Sequence, residues 1–447
     1  MLGALFLAAV HFWKRAFLVL ALSLALATGT RAQDEGIPPT FEFSFSNPGA
    51  RSLGFGGAFV ALADDATAAF ANPAGLVQLA RPEVSLEGRY WGYSTPYVAG
   101  GRIFGEPFGV GLDTSAGLRT GTSSANLTGI SFLSFVYPKK RWSIAIYRHQ
   151  LANYEFYGET QGLYSGPWPG GIQVRREFDL SQVVNLEIVS YGLAGAYSVN
   201  ESLSFGIGLA YSEGLISFLT RSHGVISFDV PADILFADRP LTDENVLATL
   251  SFEVDSSDWS YSAGFLWRLS RGWSVGGFWR QGPEFDGLLE FRAGPTIPPP
   301  LQPGTLLARV PEVLDLPDVY GLGVVYRFPD ERLTLSFEWD RVGYSSIFTP
   351  ESDLSLEDGN ELHLGGEYVF LGSTPLVAIR LGIWNDPDHA VDYSGDNYVA
   401  AALLQPGDDT LHYAAGLGFA FKRLQLDVGV DFSDLVDTAS LSMIFSF

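Results

Sequence analysis

Thr438–Phe447 reads TASLSMIFSF, and its alternation decides the fold class. Ala439, Leu441, Met443, Phe445 and Phe447 fall on one face; Thr438, Ser440, Ser442 and Ser446 fall on the other, with Ile444 the one exception. A period of two marks a strand, because successive side chains leave a pleated backbone on opposite sides. A strand with one greasy face must cover it, with a second sheet in a soluble protein or with lipid in a membrane barrel. Alternation alone does not choose between the two.

The same period recurs upstream. In Leu424–Phe432 the residues Leu424, Leu426, Val428, Val430 and Phe432 oppose Gln425, Asp427, Gly429 and Asp431. In Leu333–Asp340 the residues Leu333, Leu335, Phe337 and Trp339 oppose Thr334, Ser336, Glu338 and Asp340. Extending the pattern places fourteen strands, near 83–93, 128–138, 141–157, 177–199, 201–215, 247–269, 272–292, 311–327, 331–346, 359–370, 374–384, 410–421, 424–432 and 437–447. Their connections alternate in length. Lys139-Lys140, Asn200, Ser270-Arg271, Phe328–Asp330, Leu371–Ser373 and Lys422-Arg423 are short, whereas 94–127, 158–176, 216–246, 293–310, 347–358 and 385–409 are long. Short periplasmic turns opposite long extracellular loops, with an even strand count, mark an outer-membrane barrel. The expected fold is all-β: a transmembrane antiparallel β-barrel of about 14 strands over residues 83–447.

Composition agrees. The chain has 50 Gly, 33 Phe, 19 Tyr and 10 Trp against 27 Lys plus Arg, a mixture suited to strands with aromatic anchors. Residues 1–32 have the build of an export signal: Lys14 and Arg15 are charged, Ala16–Ala27 is apolar, and Thr30-Arg31-Ala32 precedes cleavage at Gln33. Its apolar core is short for a bilayer span, and no run of about 18 apolar residues follows, so crossing by helices is not expected. Removing Lys14, Arg15 and Arg31 with the signal takes the net charge of −23 further negative. Such acidity argues against nucleic acid, whose phosphates need Lys and Arg. With no Cys, neither disulfides nor Cys-ligated metals are available.

Residues 33–82 lie between the signal and the barrel. A lumen of this size is too wide for the wall's own side chains to fill. The segment is therefore expected to fold inside it as a plug of short helices and turns. Its centre is Asn47–Leu76, NPGARSLGFGGAFVALADDATAAFANPAGL. Asn72 reads as a helix N-cap with Pro73 at the first helical position. Asp64-Asp65 stand where they would open a turn over Ala66–Phe70, and Gly54, Gly56 and Gly57 permit close backbone packing.

That stretch resembles the N-terminal hatch of the FadL/TodX family of outer-membrane transporters for long-chain fatty acids and aromatic hydrocarbons. Asn72, Pro73 and Ala74 match the family's NPA motif. Leu316–Gly323 (LPDVYGLG), Tyr326-Arg327 and Leu333-Thr334-Leu335 resemble its mid-barrel hairpin. The terminal strand ending in Phe447 resembles the one that the barrel assembly machinery recognises. The resemblance implies residence in the bacterial outer membrane, among its lipid and lipopolysaccharide. It implies passive, ligand-triggered uptake of a hydrophobic small molecule, long-chain fatty acids first, with no cofactor. Family members capture their ligand at extracellular loops, pass it to a pocket beside the hatch and release it sideways at a kinked third strand. Relatives of this fold that serve protein secretion supply the alternative, a protein-binding or secretion accessory barrel without transport.

Each step has candidate residues. Loop 216–246 carries Phe228, Leu235 and Phe236, and loop 293–310 carries Leu301 and Leu306; these suit capture, since shedding water gains about 0.8 kcal/mol per CH₂. In the third strand Trp142, Ile144 and Ile146 set an outward phase that Arg148, Gln150, Ala152, Tyr154 and Phe156 continue. An Arg on the lipid face near mid-depth costs roughly 2–4 kcal/mol. A kink or gap near Tyr147, Arg148 and Gln150 removes that cost, so the lateral opening is placed there. Arg327, Glu338, Asp340, Glu361, His363, Glu367, Arg380, Asp427 and Asp431 face inward, and Arg327 and Arg380 are the candidates for a ligand carboxylate. Loop 385–409 holds Asp386, Asp388, Asp392, Asp396, Asp408 and Asp409 without Lys or Arg; it reads as a solvated acidic surface or as a Ca²⁺ loop that lacks EF-hand spacing.

Catalytic signals are weak. Gly272-Trp273-Ser274-Val275-Gly276 matches GxSxG, but a strand, not a helix, is expected after it. Gly206-Ile207-Gly208 and Gly416-Leu417-Gly418 never complete GxGxxG and read as small inward strand positions. The His residues form no HxH or HxxxH pair, so no metal site is expected from spacing along the chain.

Overall fold

The computed structural model describes residues 45–166, 174–177, 179–223, 232–297, 299–348 and 352–447. The expected export signal, the first part of the plug and Phe228 lie outside the described residues. Fourteen antiparallel strands close into a barrel. They are β1 (Glu83–Phe104), β2 (Leu118–Pro138), β3 (Trp142–Thr160), β4 (Asp179–Ser198), β5 (Leu203–His223) and β6 (Val246–Arg268). Two broken strands follow: β7 (Trp273–Arg280 with Glu284–Ala293) and β8 (Leu306–Asp315 with Val319–Arg327). The rest are β9 (Leu333–Val342), β10 (Gly359–Phe370), β11 (Leu376–Asp386), β12 (Thr410–Ala420), β13 (Leu424–Phe432) and β14 (Val436–Ser446). Pairing of β1 with β14, Glu83↔Ser446 through Tyr93↔Val436, closes the ring. The breaks in β7 and β8 face each other and carry Pro283 and Pro317, which cannot donate to a ladder.

The outward face defines the membrane belt. Tyr137, Trp142, Tyr197, Phe205, Trp267 and Trp273 form an exposed girdle near the short turns. Tyr191, Trp259, Trp279, Tyr320, Tyr413 and Phe432 form a second girdle toward the long loops, with aliphatic side chains between the two. Beyond the outer girdle the wall continues with polar outward residues such as Glu155, Glu187 and Glu253. This corrects the expected loop 94–127: β1 runs on to Phe104 and β2 begins at Leu118, so only 105–117 connects them. Above the lipid a strand needs no greasy outward face, and the apolar alternation used to find strands stops there.

The plug crosses the lumen from wall to wall. Helix α1 (Ala50–Gly54) lies on β11 to β14. Helix α2 (Ala68–Ala71) and the 3₁₀ turn Pro73–Gln78 lie on the opposite wall, around β2 to β6. Glycines on both the wall and the plug set the closeness of the fit. A Cβ on Gly206 would stand 2.3 Å from the Ala74 nitrogen, and one on Gly54 2.9 Å from the Gly416 Cα.

Candidate functional site

Inward side chains of the wall satisfy the plug's backbone. Glu87 accepts from the Gly49 N–H (2.8 Å), and Glu338 accepts from the Val60 N–H (2.7 Å). Ser204 donates to the Ala74 carbonyl (3.0 Å), and Ser134 to the Ala66 carbonyl (3.2 Å). Asn72 is fully buried and acts in both directions. Its Oδ1 accepts from the Ala74 N–H at 3.1 Å, which caps the 3₁₀ turn that Pro73 opens. Its Nδ2 donates to the Val60 carbonyl within the plug and to the Phe265 carbonyl of the wall, each at 3.0 Å.

A line of charges ties α1 to the wall. Asp427 and Glu367 both accept from Arg380 at 2.7 Å. Glu367 also pairs with Arg51 (3.2 Å), Arg51 with Asp64 (2.5 Å), and Asp64 with Arg327 (2.6 Å). Burial raises the Asp65 carboxyl above its ordinary range, opposed by Arg51 beside it. The two arginines placed by sequence for a ligand carboxylate thus meet protein carboxylates. Arg380 is buried and doubly occupied; Arg327 is partly exposed at the turn end of β8.

The wall is discontinuous between β2 and β3. Their ladder runs from Pro138↔Ser143 to Phe132↔His149 and stops. Above it β2 pairs only with β1, and β3 only with β4. A bulge flanks the break on each side: Ser131 is skipped in the β1–β2 register and Leu151 in the β3–β4 register. Such an extra residue bends a strand and turns its phase. The phase change corrects the expected third strand, since Ala152, Tyr154 and Phe156 point inward and are buried, while Glu155 and Tyr157 point out. Arg148 is not at mid-depth either. It stands opposite Tyr191, which stands opposite Tyr211, which stands opposite Trp259, so it belongs to the outer girdle. Its guanidinium donates to the Ile130 carbonyl that the broken ladder leaves open. His149 Nδ1 lies 3.2 Å from the Ser131 carbonyl, and Gln150 donates to Glu187 (3.1 Å).

Side chains, not a ladder, fill the break. Tyr93 donates to the Asn153 carbonyl (2.7 Å), Tyr154 donates to Thr95 (3.1 Å), and Ser123 accepts from the Tyr157 N–H (2.9 Å). Pairing resumes where the Gln161 N–H meets the Ala99 carbonyl (3.0 Å), which bounds the gap from above. Behind its lower end sits Phe70 of α2, 4.2 Å from the His149 ring and 6.1 Å from that of Tyr147. Arg280 lies over Phe70, its guanidinium 3.6 Å from the ring centre, and donates to the Phe70 carbonyl at 3.0 Å. Among the described residues nothing accepts from its buried Nε. Sequence reasoning missed Phe70, His149 and Arg280, because only the fold brings a plug helix, β3 and β7 together.

The capture candidates separate. Phe236 is buried with Tyr164, and Leu235 packs on the same small cluster. Leu301 and Leu306 are exposed. The acidic loop folds back over the mouth: Tyr398 donates to Glu177 (2.7 Å) and packs on Phe104. Ser274 sits within a strand with no helix after it, so the elbow geometry is not formed.

A family model described as outer membrane protein transport protein (OMPP1/FadL/TodX) matches residues 177–440. No match is found among curated proteins. The fold is similar to that of a Pseudomonas aeruginosa FadL homologue, 16% identical, with a TM-score of 0.62 over 91% of this chain and 99% of that one. It is also similar to the P. putida toluene transporter TodX, at 14% identity and a TM-score of 0.55 over 90% and 99% of the two chains. A CymD monoaromatic hydrocarbon channel gives 16% and 0.55 over 91% and 99%. At these identities the structural likeness is one of fold.

Proposed function

Because the chain belongs to the outer membrane protein transport protein family (OMPP1/FadL/TodX), we propose that it takes up long-chain fatty acids through the break between β2 and β3. The family transports hydrophobic compounds across the outer membrane and is not a family of enzymes. The observation that carries the reading is the ladder end at Phe132↔His149, with a plug residue, Phe70, standing behind it. A ligand that displaces Phe70 gains an exit at the level of the outer girdle without unseating the charged half of the plug. For a carboxylate cargo the partner is Arg280, whose buried Nε has no acceptor among the described residues and lies beside that aromatic group. Movement of the plug is then local, around α2, while Asn72 and the Arg51 line stay fixed.

A second reading is an uncharged aromatic hydrocarbon, the class of cargo by which the toluene transporter TodX and the monoaromatic hydrocarbon channel CymD are known. It is favoured by the cavity beside α1, which carries Asp340, Glu361, Asp386 and Asp431 and repels a carboxylate head. Growth on a long-chain fatty acid tests the first reading, in a Gram-negative strain lacking its own fatty-acid transporter. Rescue that is lost on deleting Asn72-Pro73-Ala74 and reduced at least tenfold by Arg280→Gln, with the barrel still heat-modifiable, supports it. No rescue from an assembled barrel removes fatty acids as cargo. Toluene entry into the same cells then separates the hydrocarbon reading from a barrel that carries nothing.

A further inference from the structure

The inner faces of β9 and β10 set four ionisable side chains in two neighbouring cross-strand pairs, Glu338 opposite His363 and Asp340 opposite Glu361. Donor atoms of Asp340, Glu361 and His363 all lie within 4.8 Å of one another. His363 Nδ1 is 2.8 Å from the Gly56 carbonyl oxygen. A carbonyl only accepts, so Nδ1 carries the proton and donates. Nε2 is thereby turned toward Glu361 Oε2 at 3.2 Å and Asp340 Oδ2 at 3.9 Å. With Nε2 unprotonated, its lone pair faces two carboxylates and a cation between them satisfies all three; with Nε2 protonated, it donates to Glu361, so a proton and a metal compete for the same position.

Two independent observations sharpen this. Among the described residues, the ion pairs of Asp340 and Glu361 are with His363 alone. Glu338, fully buried as the cross-strand partner of His363, shares a carboxyl–carboxylate hydrogen bond with Asp340, so a third acidic group is packed against the cluster. Clustered buried carboxylates are costly unless positive charge compensates them. We propose that Asp340, Glu361 and His363 bind a divalent first-row cation, with Zn²⁺ the probe that suits them best. One imidazole with two carboxylates fits Zn²⁺, whereas Ca²⁺ and Mg²⁺ favour all-oxygen shells. A ligating His that donates its other ring N–H to a backbone carbonyl is the usual supporting arrangement. All three residues line the cavity of about 80 Å³ beside α1, which has room for water to complete the coordination.

The site would act on the plug. His363 holds the Gly56 carbonyl and Glu338 holds the Val60 N–H, so a bound cation fastens that plug segment to β9 and β10. Binding is read without transport, so the site and the uptake reading stand or fall separately. The full chain, purified in detergent and stripped with a chelator, is titrated with ZnCl₂, and retained metal is counted after desalting. One Zn²⁺ per barrel and a raised thermal midpoint are expected. Glu361→Gln and His363→Gln each remove a proposed ligand and should each weaken binding by about 100-fold or more, beyond the roughly 10- to 100-fold that losing an outer-shell partner costs. Glu361 makes no hydrogen bond to the plug among the described residues, so Glu361→Gln gives the answer if His363→Gln misfolds. His412→Gln, in the same cavity but paired with Asp431, should bind as the parent does. Substoichiometric metal on the folded parent overturns the proposal, as does unchanged affinity in Glu361→Gln; tighter Ca²⁺ than Zn²⁺ overturns the role of His363.

Discussion

Asn72 donates both amide hydrogens to carbonyls, one of the plug and one of the wall, and accepts from Ala74 with its oxygen. Asn72→Ala leaves those groups buried without partners, at about 1–3 kcal/mol for each unsatisfied group. The expected outcome is a lower thermal midpoint and faster protease cleavage of the plug, read on gels with the barrel intact; an unchanged midpoint contradicts the seating role. At this scale the sequence was legible where a residue acts through its neighbours in the chain. The cap of Asn72 on Ala74 lies within one turn. The partners of Arg327 and Arg380 lie elsewhere in the chain, at Asp64 and at Glu367 and Asp427, and charge type alone could not say whether ligand or protein would occupy them. His363 shows the same limit: its neighbours Asp340 and Glu361 come from strand register, which spacing along the chain does not encode.

Strand β3 pairs with β4 in unbroken register to Gln150 and carries a bulge at Leu151, the residue without a partner in β4. Deleting Leu151 should restore an unbroken register with β4, remove the bulge and let β3 extend its ladder with β2. Uptake should fall while heat-modifiability is retained. The loss of one buried Leu costs roughly 2–5 kcal/mol, so the thermal midpoint should fall as well. Full uptake from this variant would mean that the bulge is not what opens the wall. Elements inside the membrane were readable because lipid demands an apolar outward face, and β10 and β13 begin and end where the alternation does. The upper halves of β1 and β2 were not, since Gly92, Ser94 and Thr122 face water and break no rule by being polar. The reversal of phase after Gln150 was hidden for a related reason: one inserted residue changes the face of all that follow, and the sequence carries no mark of it.

At the scale of the whole molecule, a wide barrel is filled by a small-residue segment whose polar backbone is met by inward Glu, Ser, His and Arg side chains. The heavily bonded half, around Arg51 and Glu367, faces β9 to β13, and the half packed on aromatic rings, around Phe70, faces the break. That asymmetry predicts local motion at α2 rather than expulsion of the plug. The presence of a plug was legible from the size of the expected lumen and the motif at Asn72; which half would hold and which would yield was not. The chain has no native Cys, so a single engineered bridge can be read cleanly. Gly129 and Gln150 face each other across the break, a Cβ on Gly129 standing 2.6 Å from Gln150 Oε1. The most direct measurement is entry of labelled oleate and of toluene into cells carrying Gly129→Cys with Gln150→Cys, joined by a reducible bis-maleimide. Entry of the cargo should fall to background with the bridge in place and return on reduction. Unchanged entry through the bridged barrel would contradict lateral passage between β2 and β3.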